Sequence, residues 1–261
     1  MRPLLTTFLL SLLTPGLGYV QAGNRNSFYK TLLLFFAVLI LGIALRGVAS
    51  FAGLMSVLVA LMAIYLFSMI HSVFIPRNTF LKMPVWLKLF FTLSFLLVMG
   101  TTLANRRSVM GIDIMRMAVP VMQPTLLPGD RFIVNTWAYS SRLPKRGDVV
   151  AHAFRRQQGV YVNRIVAVSG DTIAIKNGRV HINNHPQPEP NVWPAHVTHP
   201  ESITMQPVVV PRAHYFVMGD NRDASFGDSR FSGTVPLPAI IGQLTDILTS
   251  TDKARVGSRV H

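Results

Sequence analysis

The stretch Val210–Ser225 reads VPRAHYFVMGDNRDAS, and Asp228-Ser229-Arg230 and Gly233 follow it closely. Three further phrases precede it: MQPTLLPGD at residues 122–130, RGDVV at residues 146–150 and RIVAVSGD at residues 164–171. The four phrases span most of residues 118–242. Because all four phrases lie in the second half of the chain, this half decides the fold.

Short β-prone runs surround the phrases. They lie at residues 131–135, 148–153, 161–168, 172–176 and 180–182, with further candidates at 207–210, 215–218 and 240–248. Pro-Gly-Asp, Arg-Gly-Asp and Ser-Gly-Asp turns separate them, and Asn177-Gly178 is a strong hairpin signal. A segment at about 181–205, rich in Pro, His and Asn, is predicted to be an extended loop or small subdomain. Residues 106–249 are therefore predicted to form a sheet-rich, partly closed barrel.

In order and spacing, the four phrases resemble those of the bacterial type I signal peptidases, which are membrane-bound Ser/Lys proteases. The resemblance implies a mainly-β domain on the outer face of the membrane, which receives an extended leader peptide and cleaves it after small residues. In that family a serine precedes the Met-x-Pro-Thr phrase, and a lysine kept neutral by burial takes its proton. The matching positions here are Val121 and Asn163.

The resemblance also implies supporting roles for residues that are retained. Met122 and Arg164 follow the two reactive positions, and Ser225 matches the residue that orients the lysine. Asp228 and Arg230 match a salt bridge that braces the site. The spacing from residue 225 to residue 228 is one residue longer than usual. That is compatible with a bulge that re-aims the serine, or with a neutral loop variation.

Valine and asparagine cannot supply the chemistry of the family. Val121 has no nucleophilic atom, the Asn163 carboxamide is not a base near neutral pH, and Val119 occupies a position that often supplies an oxyanion-stabilising hydroxyl. The sequence predicts a homologue whose groove binds leader peptides, or exported or pilus-type partners, without cleaving them. Two alternatives stay open: a structural subunit of a secretion or pilus assembly, and an active serine endopeptidase with rearranged groups. The candidates for such groups are Ser108, Ser169, Ser225, Ser229, Lys145 and Lys176.

The first 105 residues differ from the rest in lacking Asp and Glu, and all 11 acidic residues lie after them. Crossing the hydrocarbon core takes roughly 20 apolar residues in a helix. Apolar segments at about 31–46, 51–70 and 86–104 predict three spans, so that residues 1–105 form a membrane region. The segment at about 4–20 is interrupted by Thr14-Pro15-Gly16-Leu17-Gly18 and is interpreted as a re-entrant or interfacial hairpin that is retained.

Cations predict the orientation of this region. One side of the three predicted spans carries most of them, namely Arg25, Lys30, Arg77, Lys82 and Lys88, and Arg46 lies in the short opposite loop. Short cytoplasmic loops are enriched in Lys and Arg. The pattern predicts a multi-pass protein of the bacterial inner membrane with its β-rich domain outside the cytoplasm.

The formal net charge of +14 raises the question of anionic partners. No helix-turn-helix, zinc-finger or aromatic-stacking motif accompanies the charge, so nucleic acid is not predicted. Arg106-Arg107 and the basic tail at 250–261 are candidates for contact with anionic membrane lipid. The oligomeric state stays open.

Neither a metal nor another cofactor is predicted. Four histidines lie near one another in the sequence, namely His181, His185, His196 and His199. A metal site needs a defined ligand set with oriented supporting partners, and the chain has no cysteine to complete one. These histidines are therefore interpreted as solvated loop residues.

Overall fold

The computed structural model describes residues 2–75, 83–154, 159–192 and 197–261. The chain divides into two compact units, Met1–Gly111 and Ile112–His261. The first is helical and the second is built mainly of strands. The predicted fold class, an apolar multi-helix region followed by a mainly-β domain, is confirmed.

The helices of the first unit vary widely in length. In the described residues they are α1 (Arg2–Ser11), α2 (Leu17–Gln21), α3 (Arg25–Ala44), α4 (Phe51–Phe74), α5 (Val85–Ala104) and α6 (Arg106–Val109). Side chains cap two of the long ones: Asn24 accepts from the Ser27 N–H at the start of α3, and Ser50 accepts from the Gly53 N–H at the start of α4. Three of them, α3, α4 and α5, are long and apolar enough to cross a membrane.

The leading segment is broken between α1 and α2. Gly16 has a φ of 77°, in the left-handed region that favours glycine, and its N–H donates to Ser68 Oγ at 3.2 Å. Ser11 Oγ lies 3.2 Å from Ser72 Oγ, and a Cβ on Gly18 would lie within 2.3 Å of both hydroxyl oxygens. Glycine therefore permits close packing of this segment on α4. The ten residues of α1 rise only about 15 Å, half of the hydrocarbon thickness.

The second unit contains two antiparallel sheets. Its strands are β1 (Ile112–Arg116), β2 (Arg131–Asn135), β3 (Val149–His152), β4 (Tyr161–Val168), β5 (Thr172–Lys176), β6 (Arg179–Ile182), β7 (His185–Pro186), β8 (Met205–Val209), β9 (His214–Met218), β10 (Val235–Pro236) and β11 (Ile240–Thr249). One sheet has the order β1-β2-β11-β3-β4-β9-β10 and the other β7-β6-β5-β8. Two short helices, α7 (Pro200–Ile203) and α8 (Ser229–Ser232), complete the unit in its described residues.

The Asn177-Gly178 hairpin is confirmed. Lys176 pairs with Arg179 across the turn, and the two central residues have φ values of 50° and 73°. Positive φ at both central positions is the requirement of a type I′ turn, which matches the twist of the flanking strands. The turn joins β5 to β6.

The segment at about 181–205, predicted to be an extended loop or small subdomain, contains short elements of secondary structure. It includes the end of β6, the two residues of β7, α7 and the start of β8. His196 lies outside the described residues. The histidines at 181 and 185 lie on β6 and β7.

The basic tail folds back along β11. The Val260 N–H donates to Thr245 O at 2.9 Å, and the Ile247 N–H donates to Ser258 O at 3.0 Å. Arg255 Nη1 lies 3.2 Å from Asp130 Oδ2, whose side chain is buried. Arg255 therefore neutralises a carboxylate of its own domain and braces the turn that ends the phrase at 122–130.

Candidate functional site

Val121 lies on a single 3-10 turn, Pro120–Met122, next to β4. Met122 is fully buried in the core of the β-rich unit and anchors the turn. The Val121 carbonyl accepts a hydrogen bond from the Asn221 N–H at 3.1 Å. The buried Met122 side chain and the hydrogen bond from Asn221 therefore both hold the turn in place. The Val121 side chain is half-buried at the edge of the turn.

Asn163 lies in β4 and is 2% exposed. Its Oδ1 is 2.9 Å from His152 Nε2, and its Nδ2 donates to Ser225 Oγ at 3.4 Å. The carboxamide thus joins β3 to the loop that follows β9. It uses both of its polar ends in a site closed to solvent.

His152 is the central buried group that sequence reasoning missed. It has no exposed surface, and it lies against Phe154 and Tyr161 with ring centroids 4.8 and 6.1 Å away. Burial lowers its pKa below the usual value, and the hydrogen bond to Asn163 only partly opposes this. The imidazole is therefore neutral near pH 7, and a proton on Nε2 is donated to the carboxamide oxygen. In the sequence, the only indication that His152 is buried was its position at the end of the apolar run 149–151.

Gly219 brings Val121 and Ser225 together. A Cβ added at this position would lie 2.4 Å from the Ser225 side chain and 2.6 Å from the Val121 carbonyl oxygen. Only a residue without a side chain leaves room for both neighbours. Gly219, which follows β9, thus allows the 3-10 turn and Ser225 to approach each other next to the strand that carries Asn163.

Asp228 and Arg230 form an ion pair behind this point. Their side chains have no exposed surface, and Arg230 Nη2 is 2.7 Å from Asp228 Oδ2. Arg230 also donates to the Ser225 carbonyl at 3.0 Å, and Asp228 accepts from the Gly219 N–H at 3.1 Å. The pair holds the backbone on both sides of the serine, and each charge is hydrogen-bonded as a buried ion pair requires.

The longer spacing between residues 225 and 228 does not turn the serine away from Asn163. Of the two intervening residues, Phe226 is 57% exposed, whereas Gly227 packs against Tyr161, where a Cβ would lie 2.7 Å from the ring. Ser225 keeps its hydrogen bond to Asn163. The insertion therefore changes the rim of the site and leaves its centre intact.

A second polar cluster braces the phrase at 122–130 from the other face of β4. Arg164 donates from Nε and Nη2 to the two carboxylate oxygens of Asp220 at 2.8 and 2.6 Å. Thr125 donates to the same carboxylate, and Arg164 also donates to the Gly147 carbonyl at 2.9 Å. Residues from all four sequence phrases thus meet through one guanidinium group.

One stretch of β4 has an open edge beside Val121. Strand β4 pairs with β3 from residue 161 onward but with β9 only from Arg164 onward. The N–H and C=O of Ile165 bond on the β3 side, and backbone groups alternate sides along a strand. The N–H and C=O of Val162 therefore point to the other side, where no strand lies among the described residues.

In the comparisons with known proteins, a family profile described as "Signal peptidase, peptidase S26" matches residues 86–248 of this chain. The chain belongs to this signal peptidase family. The match covers all of α5 except its first residue, and nearly all of the β-rich unit. The fold predicted from the four phrases, a signal-peptidase-like β domain after apolar helices, is thereby confirmed.

Individual members of the signal peptidase family share about a third of the matched residues. Signal peptidase I of Leptolyngbya laminosa is 34% identical over 130 residues, which are 47% of this chain and 61% of that protein. Thylakoidal processing peptidase 1 of Arabidopsis thaliana is 33% identical over 133 residues, 47% of this chain and 37% of that protein. Signal peptidase IB of Staphylococcus aureus is 31% identical over 138 residues, 48% of this chain and 71% of that protein. The chain thus spans less than two thirds of the length of the first two of these relatives.

A solved structure was also found. A signal peptidase I from Enterococcus faecalis V583 matches 40% of this chain and 98% of its own, with 28% sequence identity and a TM-score of 0.34.

The serines and lysines considered for a rearranged signal peptidase site do not meet in a buried pair. Lys145 and Lys176 are both exposed, whereas Ser225 and Ser229 are buried. Lys145 and Ser169 border one open cleft of about 400 Å³, and both are exposed there.

No group of three or more His, Cys, Asp or Glu side chains is placed to hold a metal ion within the described ranges. His199 instead packs edge-on against Phe226 with ring centroids 4.7 Å apart.

Proposed function

We propose that this protein is a membrane-anchored signal peptidase homologue that binds an extended leader peptide, or a similar segment of an exported protein, without cleaving it. The observation that carries the proposal is that Val121 and Asn163 both lie near Ser225, Val121 across Gly219 and Asn163 through a hydrogen bond, in a site whose supports are kept. The buried Asp228–Arg230 ion pair, Gly219 and Ser225 lie around the two positions.

The assignment of Val121 and Asn163 to the nucleophile and base positions rests on the resemblance of the sequence phrases. Two contacts support it. Asn163 donates to Ser225, the residue that matches the lysine-orienting serine, and Val121 meets the same serine through Gly219. The residues that the phrases place together are thus neighbours in space.

The chemical consequence is a large loss of hydrolysis. A hydrocarbon side chain cannot attack a carbonyl carbon, and a carboxamide does not accept a proton near pH 7. Removing the nucleophile alone from a serine protease costs on the order of a millionfold in turnover. We therefore expect no measurable leader cleavage by the natural protein.

The active-enzyme alternative requires another base. Lys145, Lys176 and Lys253 are exposed, and His152 is enclosed without access to a substrate. His152 also donates to Asn163 rather than to a hydroxyl. These contacts favour the binding function over a rearranged peptidase.

The open edge of β4 gives the binding mode. An extended peptide laid beside Val162 adds one strand to the sheet through main-chain hydrogen bonds, and its side chains alternate between the site and solvent. The half-buried Val121 then lies where the peptide would pass the reactive serine of an active relative. The main-chain bonds supply affinity with little sequence preference, as expected for a receptor of varied leaders.

We further propose that the β-rich unit lies outside the cytoplasm of a bacterial cell, with the inner membrane crossed by α3, α4 and α5. Arg25, Lys30 and Lys88 lie at the ends of these helices opposite Arg46, and the excess of cations marks the cytoplasmic side. Arg77 and Lys82, which contribute to the same argument, lie outside the described residues. A cysteine introduced at exposed Val160 should react with a membrane-impermeant reagent in spheroplasts, and protection there would reverse the orientation.

The binding function is tested with the full-length protein in detergent micelles and a fluorescent synthetic leader peptide. Val162→Pro removes the single N–H that faces the open edge, whereas Val162→Ala keeps it. We expect the proline variant to bind about 3- to 10-fold more weakly than the alanine variant, as the loss of one hydrogen bond predicts. Equal binding by both variants would exclude strand addition at β4. A natural protein that binds no leader but co-purifies with a secretion or pilus assembly would instead establish the structural-subunit function.

A further inference from the structure

Arg116 and Arg131 lie directly opposite each other on the first two strands of the seven-stranded sheet. Arg116 is the last residue of β1 and Arg131 is the first residue of β2, and both are exposed. The neighbouring pair is hydrogen-bonded, since the Met117 N–H donates to Asp130 O at 2.8 Å. Because hydrogen-bonded and non-hydrogen-bonded pairs alternate in an antiparallel ladder, the two arginines form a non-hydrogen-bonded pair, in which side chains come closest.

No carboxylate offsets the repulsion between these two charges. All 11 acidic residues of the chain lie within the described ranges, and neither arginine forms a salt bridge there. The nearest acidic residue in sequence, Asp130, is buried and pairs with Arg255. Thr249 of β11, which continues the row beyond Arg131, is uncharged. Like charges directly opposite each other destabilise a sheet, so an acidic ligand at this place would relieve a repulsion.

The backbone of Arg116 faces an open edge of the sheet. Strand β1 is the first in the sheet order, and no strand lies beyond it in the part of the chain that the structure describes. The N–H and C=O of Met117 both bond toward the start of β2, to Asp130 and Gly129. Backbone groups alternate sides along a strand, so those of Arg116 point away from β2. An extended segment added at this edge would therefore bond to Arg116 directly.

This edge borders the same hydrophobic cluster as the open stretch of β4. Met115 and Met117, on either side of Arg116, pack in one cluster with Val121 and Val162. A segment laid beside Val162 therefore meets β1 as well. Side chains alternate between the two faces of a strand, so the arginine pair projects from the face opposite the cluster. Every second side chain of the added segment lies on that face, in line with Arg116 and Arg131.

Resting on the proposed binding function, we infer that the bound segment carries an acidic side chain that pairs with Arg116 and Arg131. The partner is an extended segment of an exported protein with Asp or Glu opposite Arg116. Main-chain hydrogen bonds hold the segment, and the guanidinium pair selects its charge. The other role of cations on an edge strand is to discourage pairing with foreign chains, and that role predicts no preference among bound peptides.

The test uses the full-length protein in detergent micelles and fluorescent synthetic peptides. Asp, Asn or Lys is placed at each position in turn of a short peptide that is otherwise uncharged. We expect one position at which the Asp peptide binds about fivefold more tightly than the Asn peptide, and the Lys peptide more weakly than both, as an opposite-charge cross-strand pair predicts. Because both arginines are exposed, salt at about 1 M should remove most of this preference.

Three variants assign the preference to the pair. Arg116→Gln should reduce the preference for Asp to below about twofold, whereas Arg116→Lys keeps the charge and should keep most of it. Arg179→Gln is the matched control and should leave the preference unchanged, because Arg179 is also exposed but lies on β6 of the other sheet.

Equal binding of the Asp and Asn peptides at every position would overturn the inference and leave the binding function standing. An Asp preference that persists in Arg116→Gln combined with Arg131→Gln would overturn it too, because another group would then select the charge. Retention of phosphatidylglycerol that Arg116→Gln abolishes, without any Asp preference, would assign the pair to lipid headgroups instead. If no peptide binds at all, the inference and the proposed function both fail.

Discussion

Replacing Asn163 with lysine puts an amine back into a site that has lost its access to water. Asn163 is 2% exposed, and the two groups that it bonds, His152 and Ser225, are 0% and 1% exposed. A buried ammonium ion without a carboxylate partner is strongly disfavoured, so the lysine should be neutral in the folded protein. We expect Asn163→Lys to fold less stably than an uncharged variant of similar length.

The size of the effect follows from the proton that the lysine gives up. Lowering the pKa of a lysine by burial from about 10.4 to about 7 costs about 4–5 kcal/mol of unfolding free energy at pH 7. Loss of the hydrogen bonds to His152 and Ser225 adds about 1–3 kcal/mol. Asn163→Met loses the same hydrogen bonds without the charge. The difference between the two variants therefore isolates the cost of deprotonation.

The assay is pulse proteolysis in urea of the full-length protein in micelles, followed on the β-rich unit. Since the unfolded lysine stays protonated up to about pH 10, the unfolding free energy of Asn163→Lys should rise by about 1.4 kcal/mol per pH unit above pH 7, relative to Asn163→Met. Equal stability of the two variants at pH 7, or a difference that does not change with pH, would refute the reasoning. The amine would then reach solvent or an unrecognised partner.

Three other predictions concern the supports of the site. Arg230→Met leaves the Asp228 carboxylate buried without its partner, so it should lower the unfolding free energy in urea by about 3–5 kcal/mol. Adding Asp228→Asn should recover part of this loss. If Arg230→Met lost no stability, the ion pair would be dispensable. The unfolding free energy should fall as the pH drops below about 6.5, because His152 is protonated in the unfolded chain while burial keeps the folded imidazole neutral. His152→Phe should remove this part of the dependence of unfolding free energy on pH. An unchanged pH dependence in His152→Phe would contradict the prediction. Gly219→Ala should destabilise by about 1–3 kcal/mol, since its Cβ meets the Val121 carbonyl at 2.6 Å, and a neutral effect in the same urea assay would show that the turn can move.

Much of the sheet is predictable from local patterns. The runs at 131–135, 161–168 and 172–176 coincide with β2, β4 and β5, because β-prone residues between turn signals are a local property. Strands β7 and β10 have two residues each, too few for any periodicity to register. Strand β1 contains Asp113 and follows the short basic helix α6, so its sequence resembles neither a span nor an alternating strand.

The site is predictable in its residue types but not in its contacts. The four phrases identify Val121, Asn163 and Ser225, yet their meeting depends on Gly219 and on the pairing of β4 with β9. The burial of His152 depends on Tyr161 in β4 and on Phe154, which follows the end of β3. Such long-range packing leaves no local signal in one sequence.

The tail illustrates the same limit for charge. Arg255 resembles a surface cation in a basic segment, and its sequence neighbours give no hint of a partner. The fold brings it to Asp130 and to the backbone of the phrase at 122–130. Net charge alone therefore overstates the number of cations available to lipid.

Cleavage of a leader-bearing protein by the natural chain and by Val121→Ser combined with Asn163→Lys tests the central claim most directly. The account predicts that the natural protein leaves the substrate intact and that the double variant releases the leader, with neither single variant sufficient. Cleavage by the natural protein would contradict it, because the site would then contain a nucleophile and a base other than the two that are missing.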